Sequence, residues 1–218
     1  MPALSPKSGM AYLAGLVAAD GHLESNEPYI VIPSKEYGFL KDYVVPLIHD
    51  HTGISPRVYW DKSAKVWKVR IYSRSLWNVL IHDYAIPAGS KASHILPPAK
   101  LEIDERVWYI RGWFDGEGWL ESMTVRRPYG VYQYPRIGFK VKNRPIRDWI
   151  LAELTIHGVR SRGYDRRDGS YGIWINGTIA CQTFLDTIGF LYPPRNSQLE
   201  RLIRTHRGRI SPNQAGVR

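Results

Sequence analysis

The feature that most constrains this chain is a nine-residue pattern that occurs twice. It reads Leu13-Ala14-Gly15-Leu16-Val17-Ala18-Ala19-Asp20-Gly21 and then Ile110-Arg111-Gly112-Trp113-Phe114-Asp115-Gly116-Glu117-Gly118. Corresponding residues lie 97 positions apart throughout, and both copies pass from an apolar residue through a glycine to an acid followed by glycine. Each copy has the character of a helix end. Ala11, Gly15 and Ala19 recur every four residues, and Gly112 and Gly116 repeat the arrangement, so each helix carries a stripe of small side chains along which another helix can approach backbone to backbone. Gly21 and Gly118 are expected to supply the left-handed or tightly turned residue that stops each helix.

Asp20 and Glu117 each sit one residue before the terminal glycine, so packing the two helices side by side leaves both acids at one end. Two carboxylates that close repel, and one keeps its proton unless a divalent cation lies between them. Mg2+ suits that position because it prefers oxygen ligands shared with substrate phosphates. The helix macrodipole opposes an acid near a helix C-terminus, so neither residue is accounted for as a stabilising choice. Asp115 is a different matter. Its counterpart in the first copy is Ala18, and two residues along a helix is about 200° of rotation, so Asp115 and Glu117 are not expected to face one ligand together.

The repeat continues beyond the motif. The first copy is followed by Tyr29-Ile30-Val31-Ile32, a helical pattern around Phe39-Leu40-Tyr43-Val44-Leu47-Ile48 and a stop at His51-Thr52-Gly53. The second is followed by Arg136-Ile137-Gly138-Phe139-Lys140-Val141-Lys142, a helical pattern around Ile146-Trp149-Ile150-Leu154 and a stop at Ile156-His157-Gly158. Next come a hairpin (Arg57 to Trp60, a turn at 61–64, Val66 to Ile71) and its equivalent (Val159 to Tyr164, a turn at 167–169, Tyr171 to Ile175). A further helical stretch ends each half, around 76–81 and 179–188. The expected order is αββαββα, twice. Turn formers from Pro87 to Lys100 break every periodicity, which places a linker at about 87–103 between a first half over 1–97 and a second over 104–218. Arg201, Arg204, Arg207, Arg209 and Arg218 give the second half a basic tail, read as a solvated face or loose end with a phosphate contact as the alternative.

Composition agrees with a folded chain that meets a polyanion. The 218 residues are 44% hydrophobic, and 30 Lys plus Arg against 20 Asp plus Glu give a net charge of +10. Charge alone favours nucleic acid first and an acidic membrane surface second. Cys181 is the single cysteine, which excludes an internal disulfide framework and a multi-cysteine zinc site and points to a reducing compartment. No stretch approaches the roughly 20 apolar residues of a membrane span, and the N-terminus lacks the apolar region of a cleavable signal. The expected location is the cytoplasm of a prokaryote or an organelle, without secretion. No splicing-domain residues flank the ends, so an intein context is not expected.

With both motif copies and the αββαββα order over nearly its whole length, the chain resembles the monomeric, two-motif LAGLIDADG homing endonucleases. The resemblance implies an α+β fold of two pseudo-symmetric halves whose motif helices form the interface and whose antiparallel sheets form a DNA-binding saddle. It implies that the last acid of each motif, Asp20 and Glu117, binds metal and the scissile phosphate, with the preceding residues Ala19 and Gly116 beside the metal. Two or three divalent ions are implied: Mg2+ for cleavage, Mn2+ as a substitute, and Ca2+ for binding without cleavage. The implied activity is hydrolysis of two phosphodiesters, one per strand of a long asymmetric DNA site, by a monomer with no obligate protein partner, encoded within an intron. Basic groups near the metals are carried over by position to Lys35 and Lys142.

On such a saddle, strand side chains divide by alternation into a core face and a DNA face. Ile137, Phe139 and Val141 are expected inside, with Arg136, Lys140 and Lys142 outside; Trp67, Val69 and Ile71 alternate likewise with Lys68, Arg70 and Tyr72. Arg57, Arg160, Arg162, Tyr164 and Arg166 extend the outer set. Two other readings stay open on the same scaffold: an RNA maturase assisting intron splicing, and a DNA-binding regulator without catalysis. Neither requires the paired acids that this chain keeps.

Overall fold

Ser5 opens the first helix by accepting the Ser8 N–H on its side chain at 3.2 Å, and Pro6 follows at a position where a missing N–H costs nothing. The structure is a computed structural model that describes residues 5–91, 94–128 and 130–207. Helix α1 (Pro6–Ala19) is buried on all sides from Ala11 to Ala19, which marks it as a central helix and not an amphipathic surface one. The first half continues with β1 (His22–Leu23), β2 (Tyr29–Ser34), α2 (Tyr37–Phe39), a π-helical turn (Leu40–Val44), α3 (Val45–Thr52), β3 (Val58–Asp61), β4 (Val66–Tyr72) and α4 (Arg74–His82). The second half contains α5 (Ile103–Glu117), β5 (Trp119–Arg127), β6 (Gly130–Val141), α6 (Arg144–Ile156), β7 (Ser161–Asp165), β8 (Tyr171–Asn176) and α7 (Thr178–Thr187). An additional helix, α8 (Pro193–Arg207), follows.

Each half forms one antiparallel sheet of four strands, in the orders β1-β2-β4-β3 and β5-β6-β8-β7. The fold is therefore α+β with two repeated halves. Alternation assigns the faces as the sequence indicates. Ile30, Ile32, Val69 and Ile71 of one sheet, and Ile137, Phe139, Ile173 and Ile175 of the other, are fully buried beneath the helices.

The two halves meet through α1 and α5, and the small-residue stripe accounts for the closeness. A Cβ on Gly15 would lie 1.9 Å from the Tyr109 carbonyl oxygen, one on Gly112 2.3 Å from that of Tyr12, and one on Gly116 2.6 Å from the Ala19 Cβ. Backbone thus rests on backbone where the sequence pattern implied it. The terminal glycines are not left-handed, the first of the two alternatives expected of them. Gly118 is extended (φ −77°, ψ 148°), and Gly21 is not among the residues of positive φ. What they need is space: a Cβ would lie 2.6 Å from Val17 Cα at Gly21 and 2.4 Å from the Phe114 oxygen at Gly118. Left-handed stops occur instead at Gly53 and Gly158 (φ 70° and 71°).

Two features depart from symmetry. The β5–β6 hairpin pairs nine residues, from Trp119↔Gly138 to Arg127↔Gly130, whereas β1–β2 pairs only His22↔Val31 and Leu23↔Ile30. The basic tail is also helical through Arg207, which fits the solvated-face reading of it and not the loose-end one. Leu199 and Ile203 are buried one turn apart, and His206 Nε2 lies 3.0 Å from Ser122 Oγ of β5. Arg201 and Arg204 are exposed on this helix, while Arg209 and Arg218 lie outside the described residues.

Candidate active site

Because α1 and α5 run side by side with their C-termini together, Asp20 and Glu117 come to the same place. Their carboxyl groups are close enough for each to shift the other's proton affinity. Glu117 is driven up to about 7, first by burial and then by the charge of Asp20, with Lys91 and Lys140 pulling the other way. Asp20 is also raised by loss of water, against the opposing charges of Lys91 and Arg195 and the neighbouring Glu117 carboxyl. Without metal, burial and the neighbouring Asp20 charge make Glu117 hold a proton more readily than an ordinary glutamate.

Both acids line a cavity of about 450 Å³ between the halves, together with Lys35, Glu36, Asp115 and Arg195. Asp115 lines the same cavity and is anchored through one oxygen, while its Oδ1 is buried without a hydrogen-bond partner. Its Oδ2 accepts the Tyr12 hydroxyl at 3.0 Å and the Leu191 N–H at 2.7 Å, and the residue is 6% exposed. Ala19 and Gly116 stand beside the acids as the motif requires, and the Ala19 carbonyl accepts a hydrogen bond from Lys91 at 3.1 Å.

The two cations carried over by position are both exposed. Lys35 is exposed on the cavity rim. Lys142 lies beyond the end of β6 and is exposed; Lys140, two residues earlier, is the strand cation whose charge reaches Glu117. Lys140 and Lys142 have the same parity on this segment, and Lys140 is the one of the two whose charge lowers Glu117. Two further cations reach the site from segments far along the chain. Lys91 reaches the site from the linker, a segment without periodicity. Arg195 reaches it from α8 and donates to the Phe114 carbonyl at 2.8 Å. The Pro193-Pro194 pair just before Arg195 is a helix-start signal that could have exposed it.

The outer face of the first sheet carries Arg70 between two tyrosine rings, 5.0 Å from the Tyr29 centroid and 6.0 Å from that of Tyr59. Tyr72 is 58% exposed beside it. Lys68 shares that face but is not free: it is paired with Asp61 at 2.6 Å. Arg57, Arg160 and Arg162 are exposed. On the second sheet Arg136 is likewise neutralised locally. It donates to Asn176 at 2.7 Å and to Glu121 at 3.3 Å while lying 4.3 Å over the Trp174 ring. Trp119, Trp174 and Tyr164 form an aromatic row there, with Tyr164 stacked on Trp174 at 4.6 Å. Gly138 and Gly172 make room for it, since a Cβ would meet Trp119 at 2.2 Å and Tyr164 at 2.0 Å.

No family model matches the sequence, and no curated protein matches it along its sequence. Solved structures do match. The structure of I-DmoI in complex with DNA and Ca covers 91% of this chain and 100% of its own, at 19% identity and a TM-score of 0.62. The fold is that of the LAGLIDADG homing endonucleases. The I-LtrWI LAGLIDADG homing endonuclease bound to target DNA agrees over 94% of this chain and 92% of its own, at 11% identity and a TM-score of 0.62. Full-length DUF199/WhiA from Thermatoga maritima also matches, over 99% of this chain and 66% of its own, at 16% identity and a TM-score of 0.64. Within this LAGLIDADG fold the doubled motif is the helix pair at the centre, and its two acids lie at the floor of the cleft between the sheets. Among the described residues, no helix is long and apolar enough to cross a membrane.

Proposed function

We propose that this chain is a site-specific, divalent-metal-dependent DNA endonuclease that cuts both strands of an asymmetric duplex as a monomer. One observation carries the reading: Asp20 and Glu117 are contributed by different halves, line one cavity, and are sited at the end of a helix pair whose macrodipoles disfavour them. A fold gains no stability from that choice, and a metal site requires it. The neighbouring structures of I-DmoI hold DNA with Mn, Ca or Mg.

The donor set fits such an ion. Among the described residues no group of three or more His, Cys, Asp or Glu side chains could hold a metal by itself. The ligands that remain are the two carboxylates, neighbouring backbone oxygens and the phosphates of a substrate, which is the mixed oxygen set Mg2+ accepts. The raised proton affinity of both acids supports this, because their ionised forms are two adjacent negative charges that need a cation. When bound, the ion supplies positive charge at the scissile phosphate and makes a water acidic enough to attack at neutral pH. Asp20 and Glu117 would hold it, while Lys140 and Arg195 add fixed positive charge to the same cleft. The sheets with Arg70, Tyr72, Arg160 and Arg162 take the duplex backbone and grooves. The monomer follows from α1 and α5, whose mutual packing already uses the faces a second chain would need.

The test starts from a randomised double-stranded library, from which the best-bound duplex is selected in Ca2+. That duplex is then incubated with Mg2+ or with chelator. Both strands should be cut in Mg2+ and neither in chelator, and Asp20→Asn and Glu117→Gln should bind without cutting. Specific binding by the wild type with no cutting in Mg2+ or Mn2+ would overturn the endonuclease reading in favour of a DNA-binding regulator. Selection of RNA over DNA would favour a maturase.

A further inference from the structure

An α-helix leaves its last four carbonyls without partners in the helix. In α1 these belong to Leu16, Val17, Ala18 and Ala19. The Leu16 oxygen accepts the N–H groups of Asp20 and Gly21 at 3.1 and 3.4 Å. The other three are all taken by one residue from 72 positions or more along the chain. Lys91 Nζ donates to the oxygens of Val17, Ala18 (2.8 Å) and Ala19 (3.1 Å). An ammonium has three protons, so donors and acceptors are matched. Helix α1 has no basic residue in its own last turn, so the cation its C-terminus favours must come from elsewhere.

Lys91 is itself held on both sides. The Gly89 N–H donates to the Leu23 oxygen at 2.7 Å with Gly89 at φ 77°, a left-handed turn that aims the chain back at α1. The N–H groups of His94 and Ile95 donate to the Lys91 oxygen at 2.9 and 3.2 Å. Among the described residues α5 has no equivalent clamp: the cation that reaches its end from outside, Arg195, donates to the Phe114 carbonyl. Asp20 follows directly on the clamped Ala19 peptide, so the direction of its carboxyl depends on that peptide staying in place.

We propose that Lys91 is a positioning residue of the Asp20–Glu117 site, a clamp from the connection between the halves that fixes the carbonyl end of the first motif helix and with it the approach of Asp20 to Glu117. The inference rests on the endonuclease reading for its cleavage readout and on the structure alone for the rest. Its function is that of a tripod, which a planar guanidinium does not reproduce.

The test compares wild type, Lys91→Met, Lys91→Arg, and Lys91→Cys before and after aminoethylation with 2-bromoethylamine, a treatment that restores an ammonium at nearly the original length. Cys181, the chain's single cysteine, is fully buried, so the reagent is directed to position 91. For the duplex selected in Ca2+, affinity should be unchanged in all variants. Single-turnover cleavage in Mg2+ should fall about tenfold to a hundredfold in Lys91→Met, Lys91→Arg and unmodified Lys91→Cys, the scale of a small misplacement at a reacting centre. It should return on aminoethylation. Amide hydrogen exchange at Asp20 and Gly21, measured without metal or DNA, should rise in the same variants and be restored by the same treatment. A wild type that cuts together with a Lys91→Met protein that cuts equally fast overturns the inference. If the wild type does not cut, the endonuclease reading fails, and the exchange data decide Lys91 on their own: unchanged protection at Asp20 and Gly21 overturns it.

Discussion

The Tyr12 hydroxyl donates to Asp115 Oδ2 at 3.0 Å across the helix interface, joining the first motif helix to the second through a carboxylate that is not the one at the cleft floor. The same oxygen accepts the Leu191 N–H at 2.7 Å, which ties in the connection between α7 and α8. Asp115→Asn keeps one oxygen in that position and should retain metal-dependent cleavage within about tenfold of wild type. Asp115→Ala leaves two buried donors unmatched and should cost about 1–3 kcal/mol in denaturant unfolding. Parallel cleavage and melting experiments check this: an Asp115→Asn protein that folds, binds DNA and does not cut would place Asp115 in the reaction.

Gly112→Ala and Gly15→Ala should each destabilise by about 3 kcal/mol or more, because the added methyl meets a carbonyl of the partner helix and no side chain can swing away. For a chain of this size the loss is roughly 10 °C in Tm. Gly38→Ala is the contrast, since its nearest neighbour would be an Asp42 oxygen at 3.6 Å. Calorimetry in which all three variants melt alike would contradict the backbone contact.

Lys140→Met should slow single-turnover cleavage about tenfold to a hundredfold while leaving affinity nearly unchanged, since its charge acts on Glu117. Lys142→Met should weaken binding by less than about tenfold and leave the cleavage rate of bound DNA intact. The reverse pattern would restore Lys142 to the position beside the acids.

Glu117 sets a pH dependence for the metal-free protein. Its folded value, about 7, lies above its ordinary 4.5, so the native state binds the extra proton between those values. That contribution to stability is complete below about 4.5 and is lost as pH rises through about 7. Thermal melts in chelator should decline over this window, to which Asp115, pushed up to about 6 by burial, also contributes, and Glu117→Gln should make the decline shallower. An unchanged slope in Glu117→Gln would remove Glu117 as the proton's holder.

Affinity for the selected duplex should fall with salt, with a log–log slope of about −0.9 for each phosphate neutralised. Lys68 and Arg136 already have acidic partners in the protein, at 2.6 and 3.3 Å. Neutralising either should therefore change the slope less than neutralising Arg70, Arg160 or Arg162. Titrations at several ionic strengths decide the order.

The sequence by itself determined what repeats and what is periodic. Gly15, Gly112 and Gly116 announce a helix pair in contact, because only residues without bulk recurring every turn let backbones meet. Ile137 and Phe139 against Lys140, and Val69 and Ile71 against Arg70, announce a one-sided sheet, because a strand must point successive side chains to opposite faces. Asp20 and Glu117 stand out because local stability gives no reason for them. Only the tertiary structure decided which cations join them. Lys91 acts through carbonyls at positions 17–19, and Arg195 through the Phe114 carbonyl, across separations no local pattern encodes. The same holds for Lys68 and Arg136, which read as free cations until Asp61, Glu121 and Asn176 are placed beside them. Periodicity records which face a residue is on, whereas the strength of a charge depends on distances and on water that only the folded chain sets.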